Sequence, residues 1–245
     1  VDEINTYKDS PSDMIFDTFE DMIFEGSELG HNILGTKAAL ARHGTDSIRR
    51  FTGRTYTTDQ MVFSSIGNFS VTTARDTAAR YLAERHTPTR SFERAVPAVT
   101  PAFEKVLNKH THQVHCIVGA RAYDINDERR VPLSLLVNIL GGPSANSLLN
   151  VLLREKNGLS YNIEASYSPY NDCGFVAIYF SSEHDNADQC RELIARQIDL
   201  MRRETLSARR LSMAKKQFLA QMAISMENNE SYMLGAGKSL LMHDD

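Results

Sequence analysis

Two polar side chains, Arg154 and Tyr161, follow an apolar helical segment and stand seven positions apart. Both are hydrogen-bond donors, and the turn between them would present them together. Gly158 stands in that turn, where it predicts the left-handed backbone that ends many helices. The functional interpretation is a catalytic turn. The alternative is an arginine that offsets the helix macrodipole beside a half-buried tyrosine, and a residue pair alone does not choose between them.

The elements that must position these side chains lie within residues 140–161. A Gly-Gly-Pro run at 141–143 interrupts the preceding apolar helix, and the next helix begins after it. That helix carries an apolar stripe at helical spacing, formed by Leu148, Leu149, Leu152 and Leu153. The segment therefore predicts a loop, a helix with one apolar face, and a turn that presents Arg154 and Tyr161.

The run LGGPSANSLLNVLLREKNGLSY at 140–161 resembles the second subdomain of the pitrilysin/insulinase family of zinc metallopeptidases, M16. The pattern of that family is LGG…S.L…LREK.GL.Y. In the family, the Arg and the Tyr reach across a closed cavity, bind the substrate backbone and stabilise the reaction intermediate. The resemblance therefore implies catalytic and substrate-binding roles for Arg154 and Tyr161.

A second resemblance to the same family begins at the first residue. Residues 1–35 read VDEINTYKDSPSDMIFDTFEDMIFEGSELGHNILG, which is similar to the family segment EI…y.d.p….f…..f.g..lG..ilG. In this register, Glu3 falls on the position of the family's third zinc ligand. Taken alone, a Glu this near a terminus is typical of solvated surface, so the assignment rests on the register.

The inverted zinc motif of the family, H-x-x-E-H, does not occur among the eight histidines of the chain. A catalytic zinc needs three protein ligands and a water, which Glu3 alone cannot supply. The resemblance thus implies that two ligands and the general base precede Val1. We expect zinc in an intact parent protein but not in this chain, which alone should not hydrolyse peptides.

The composition of the chain favours some classes of protein and argues against others. A chain of 245 residues with 42% hydrophobic and 24% charged residues is typical of a soluble globular protein with one large or two modest domains. The net charge of −4 argues against nucleic acid as a partner, and the apolar runs are too short to span a membrane. Three scattered cysteines predict neither a disulfide framework nor a cysteine zinc site.

The predicted fold class is α+β, with two M16-type subdomains, each a sheet covered by helices on one face. Residues 1–86 are predicted to be the C-terminal part of a first, incomplete subdomain. Residues 87–108 contain three prolines without clear periodicity and predict a linker. Residues 109–245 are predicted to form the second subdomain, which carries the Arg/Tyr motif.

Hydrophobic periodicity and caps predict the elements of both subdomains. Ser10 and Pro11 predict the start of a helix that ends by Gly26. The remaining predictions are strands at 61–66 and 112–122, a hairpin of 163–168 with 174–180, and helices from Ser70 and at 131–140, 185–204 and 207–228.

Two further patterns favour no ligand. His110 and His112 would share one face of a strand while His115 points to the other, so the three cannot converge on one metal without a bulge. The GAGKS run at 235–239 resembles the end of a P-loop, but Tyr232 stands where the motif requires glycine. A break after a long helix is the prediction there, and nucleotide binding is the weaker alternative.

The resemblance implies part of a zinc-dependent endopeptidase, oligopeptidase or processing peptidase that cleaves unfolded peptides inside a closed cavity. Glu3 occurs together with Arg154 and Tyr161, which favours a homodimer or pairing with a second M16 domain. The alternative is a non-catalytic M16-like partner subunit or scaffold, because the family includes members without the zinc site.

Overall fold

A computed structural model of the chain describes residues 1–82 and 95–243, which divide between two units. One unit consists of Val1–Lys37 with Ala95–Phe218, and the other of Ala38–Arg94 with Leu219–Asp245. The first unit contains a sheet, the helices packed on it and both motif side chains. The mixed helix-and-sheet composition confirms the predicted α+β class. The predicted subdomain boundaries stay a prediction.

The sheet of the first unit has three antiparallel strands. They are β1 (Val114–Ala122), β2 (Ser160–Pro169) and β3 (Gly174–Ser182), in the order β1-β3-β2. Strands β2 and β3 form the predicted hairpin, and β1 pairs along the other edge of β3. Strand β3 is paired along both edges, and nearly all of its side chains are buried, so both of its faces are covered.

Helices make up most of the rest of the described chain. In chain order they are α1 (Asp2–Lys8), α2 (Pro11–Ile23), α3 (Lys37–Leu40), α4 (Thr45–Thr55), α5 (Val71–Leu82), α6 (Arg130–Gly141), a π-helix (Asn150–Lys156), α7 (Ala187–Arg203), α8 (Ala208–Met226) and α9 (Asn229–His243). The predicted helices at 131–140, 185–204 and 207–228 correspond to α6, α7 and α8. Within the described ranges, no helix is long and apolar enough to cross a membrane.

Alternate side chains of β3 point to opposite faces of the sheet and pack in two separate cores. Ile178 and Phe180 face a cluster that includes β2, α6, the π-helix and α7. Phe175 and Ala177 face the opposite way and pack against α2. The helices from the predicted second subdomain thus cover one sheet face as expected, and α2 adds helix to the other.

The α2 side of the sheet is anchored by aromatic contacts and by Arg121. The rings of Phe19 and Phe175 pack edge-on with centroids 5.6 Å apart. Arg121, on β1, donates to the carbonyls of Ile23 (3.3 Å) and Pro97 (3.1 Å). The first of these bonds gives a partner to a carbonyl at the C-terminus of α2, where helix carbonyls lack intrahelical donors.

The predicted linker at 87–108 lies partly outside the described residues, which resume at residue 95. Its described part, 95–108, forms neither helix nor strand. Thr100 Oγ1 donates to the Ile23 carbonyl at 3.1 Å, so this stretch is held against the end of α2.

Two element predictions in the second unit are wrong. Residues 61–66 are not paired into a sheet; the hydroxyl of Ser64 instead donates to the Met233 carbonyl of α9 at 2.9 Å. The sequence predicts a strand here, but a strand needs a neighbouring strand to pair with. The predicted break at 235–239 is also wrong, because α9 continues through both glycines to His243.

Ile194 on α7 tests the larger core. Replacing Ile194, which is 1% exposed, with Ala should lower the free energy of unfolding by about 2–5 kcal/mol, because a cavity opens against β3. Urea denaturation monitored by circular dichroism measures the change. Leu200→Ala, on the same helix but 45% exposed, is the control and should cost roughly 1 kcal/mol or less. Equal losses would contradict this description of the core.

Candidate functional site

The helix that carries Arg154 has π geometry over Asn150–Lys156. Segments of π-helix are rare and frequently occur at functional sites. Its inner face is anchored by Leu149 and Leu153, which are fully buried in the larger core. Arg154, directly after Leu153, points outward: its side chain is 59% exposed, and the Glu155 carboxylate lies 4.0 Å from its guanidinium. The guanidinium is therefore accessible to a ligand.

The turn after the π-helix is closed by hydrogen bonds. Gly158 has φ of +60°, which confirms the predicted left-handed conformation. The last carbonyls of the helix accept bonds from Asn157 Nδ2 to Leu152 (2.7 Å), from Gly158 N–H to Arg154 (3.1 Å) and from Leu159 N–H to Leu153 (2.8 Å). These bonds occupy carbonyls that a helix end leaves without partners, and they define the path from Arg154 to β2.

Tyr161 is the extra residue of a β-bulge at the start of β2. Ser160 pairs with Ser182 and Asn162 with Ser181, so Tyr161 has no partner of its own on β3. A bulge inserts one residue into a strand and changes the direction of its side chain. Bulges are also over-represented beside active sites.

The bulge decides which way Tyr161 points. With regular alternation, Tyr161 would share the face of Ile163 and Ala165, which are buried in the larger core. Instead Tyr161 is 59% exposed, and Ser160 is 6% exposed on the inner side. The half-buried tyrosine of the alternative interpretation is therefore not observed.

Glu183 is the partner of the exposed phenol, and the sequence patterns do not indicate it. The Tyr161 hydroxyl donates to Glu183 Oε1 at 2.9 Å. This hydrogen bond, together with the negative charge of Glu183, raises the pKa of Tyr161. The phenol therefore stays protonated, and remains a donor, at neutral pH.

Glu3 lies in the first turn of α1 and is exposed. The next residue, Ile4, is buried and anchors the helix. Among residues 1–82 and 95–243, no group of three His, Cys, Asp or Glu side chains is placed to hold a metal ion. These residues therefore do not fit a complete zinc site, and Glu3 remains a predicted single ligand.

Of the three histidines near the start of β1, His115 is hydrogen-bonded to a tyrosine. His115 Nδ1 shares a hydrogen bond of 2.8 Å with the hydroxyl of Tyr179, and the two rings stack. Burial lowers the pKa of His115, because the charged imidazolium is poorly solvated there. His110 and His112 lie before β1 and are exposed.

Comparison with known proteins identifies the family. Residues 45–218 match the family model described as the peptidase M16 inactive domain. The "uncharacterized zinc protease YmxG" of Bacillus subtilis is 30% identical over 247 residues, covering 98% of this chain and 58% of that protein. An "uncharacterized zinc protease" of Rickettsia bellii is 28% identical over 235 residues, covering 94% and 56% respectively.

A solved structure shows the same fold. The peptidase M16 inactive domain from Pseudomonas fluorescens superposes with a TM-score of 0.81 at 17% identity, covering 96% of this chain and 56% of that one. The fold is thus that of M16 inactive domains. The chain belongs to the peptidase M16 family, and it spans somewhat more than half the length of the relatives that it matches.

A substitution at Gly158 tests the conformation of the turn between Arg154 and Tyr161. Gly158→Ala should lower the free energy of unfolding by about 1–2 kcal/mol, because a Cβ is unfavourable at positive φ even though the space around it is open. Urea denaturation measures this loss. Gly53→Ala, an equally open glycine within α4, should instead stabilise by about 0.5–1 kcal/mol. An unchanged stability in Gly158→Ala would contradict the left-handed turn.

Proposed function

We propose that this chain is the peptide-binding part of a zinc-dependent endopeptidase that cleaves unfolded peptides inside a closed cavity. Membership of the M16 family and the names of its relatives support the protease class. The observation that carries the proposal is the bulge that turns Tyr161 away from the core. A tyrosine needed only for packing would gain nothing from this exposure.

The proposed roles follow from the chemistry of the two side chains. Tyr161, protonated at neutral pH, donates a hydrogen bond to the oxyanion that develops on the scissile carbonyl. Arg154 binds backbone carbonyls of the peptide through the several N–H donors of its guanidinium. Both groups act as donors, so neither supplies the general base or the nucleophile of the reaction.

Zinc is proposed for the intact parent protein and not for this chain alone. The residues described here do not form a complete site, and Glu3 supplies at most one ligand to a metal whose other ligands lie outside these 245 residues. Because Glu3, Arg154 and Tyr161 occur on one chain, we propose that the active assembly is a homodimer or a pairing with a second M16 domain.

A non-catalytic M16 partner subunit or scaffold is the second candidate. The family model that matches residues 45–218 is itself described as the inactive domain, and this favours a binding role for the region. The parent protein distinguishes the two candidates. An H-x-x-E-H motif in it supports the peptidase, and a parent without this motif leaves only the non-catalytic role.

Tyr161 tests peptide binding directly. In this chain, Tyr161→Phe should raise the dissociation constant for a fluorescently labelled, unstructured peptide by about fivefold to tenfold, as expected for one lost hydrogen bond. In the intact parent, the same change should lower kcat by roughly tenfold to a thousandfold, as loss of an oxyanion donor does. Tyr7→Phe, an exposed tyrosine on α1, is the matched control. Wild-type affinity and rate in Tyr161→Phe would remove its assigned role.

Glu3 is tested by the zinc content of the intact parent. Glu3→Gln should lower the bound zinc measured by elemental analysis, because an amide replaces a charged carboxylate ligand. Asp2→Asn, the neighbouring acidic residue in the same turn of α1, should leave the zinc content unchanged. Equal and stoichiometric zinc in wild type and Glu3→Gln would reject Glu3 as a ligand.

A further inference from the structure

The buried hydroxyl of Ser160 forms hydrogen bonds at the β-bulge that contains Tyr161. A bulge interrupts the ladder of backbone hydrogen bonds, and buried carbonyls there need other donors. Ser160 Oγ lies 2.8 Å from the carbonyl of Asn162 and 2.9 Å from that of Ser181 on β3. Its single hydrogen can serve either carbonyl. The hydroxyl therefore supports the bulge by donating either across Tyr161 to Asn162 or across the sheet to Ser181.

The acceptor of the Tyr161 hydroxyl is fixed from the other strand. Ser182, the register partner of Ser160, is fully buried and donates through Oγ to the Glu183 carbonyl at 3.0 Å. This bond holds the backbone of Glu183 where β3 ends. The Glu183 carboxylate then accepts the hydrogen bond from Tyr161 at 2.9 Å.

We propose that Ser160 and Glu183 are positioning residues for Tyr161: Ser160 stabilises the bulge that turns the side chain outward, and Glu183 orients its hydroxyl. This inference rests on the proposed peptide-binding role of Tyr161. Neither residue is one of the letters that define the LREK.GL.Y pattern, and neither needs to touch the reacting atoms.

Positioning matters because an exposed tyrosine is otherwise free to rotate. A side chain that is ordered before the ligand arrives loses less conformational entropy on binding. The phenol has one hydrogen, so a peptide oxygen takes the place of the Glu183 carboxylate as its acceptor. The hydroxyl is thereby held, in the resting protein, near the direction in which it must donate.

The test follows the Tyr161 phenol itself. Carbon-13 labelling at tyrosine Cζ allows each phenol to be titrated by NMR, and Tyr161→Phe assigns the signal. In Glu183→Gln, the pKa of Tyr161 should fall toward the ordinary tyrosine value, because the negative charge is removed. In Ser160→Ala, the pKa should also fall, because the bulge relaxes and Tyr161 leaves Glu183.

Two further variants separate positioning from a general loss of structure. Ser160→Thr keeps the hydroxyl and should keep the wild-type titration of Tyr161. Ser166→Ala, on the same strand in regular register with Ala177, should change neither the titration nor peptide binding. Should Ser160→Ala fail to fold, the surface change Glu183→Gln still tests the contact with Tyr161. A wild-type pKa of Tyr161 in Glu183→Gln would overturn the role of Glu183. A wild-type pKa of Tyr161 in folded Ser160→Ala would overturn the role of Ser160.

Peptide affinity distinguishes this inference from the proposed function. Ser160→Ala should raise the peptide dissociation constant about as much as Tyr161→Phe does, by roughly fivefold to tenfold. If the titration changes while no Tyr161 variant alters peptide affinity, positioning stands and the peptide-binding role fails. If Tyr161→Phe weakens binding while Ser160→Ala and Glu183→Gln leave the titration unchanged, the peptide-binding role stands and positioning fails.

Discussion

Burial of β3 on both faces is the constraint on which the first unit depends. Ile178 and Phe180 must lie against one core while Phe175 and Ala177 lie against the other. A slip of one residue would exchange every side chain between the two cores, so the register of β1 and β2 on β3 is strongly specified. Four helical segments follow from this register, because α2, α6, the π-helix and α7 cover the apolar faces that β3 and its neighbours present.

The two motif side chains lie where the chain departs from regular structure within that fixed register. The π-helix keeps Leu153 in the core while Arg154 points outward, and the bulge keeps Ser160 inside while Tyr161 points outward. The bulge shifts the alternation of β2, so Ser160 and Ile163 are both buried while Tyr161 between them is exposed. Gly158 joins the π-helix and the bulge, and its left-handed conformation makes the connection short.

The electrostatics of the site suit a donor role. A guanidinium and a protonated phenol face solvent, and the acidic Glu183 next to the phenol opposes its ionisation. Both groups can donate hydrogen bonds to oxygen atoms. The M16 family model that matches residues 45–218 is described as an inactive domain, and the chain spans somewhat more than half of the length of its relatives.

The sequence by itself determined the family, the α+β class, most helices, the hairpin of β2 and β3, and the left-handed Gly158. These features depend on short-range patterns: helical spacing, alternation and turn residues act within a few positions. The roles of Arg154, Tyr161 and Glu3 also came from the sequence, and they stay predictions.

Only the tertiary structure decided how the site is supported. The bulge at Tyr161 is invisible to a period-two pattern, because it exists only relative to the register of β3. Glu183 lies 22 residues beyond Tyr161, and α2 reaches the second face of the sheet from the other end of the chain. The predicted strand at 61–66 finds no pairing strand within residues 1–82 and 95–243, since pairing depends on distant residues that a local pattern does not encode.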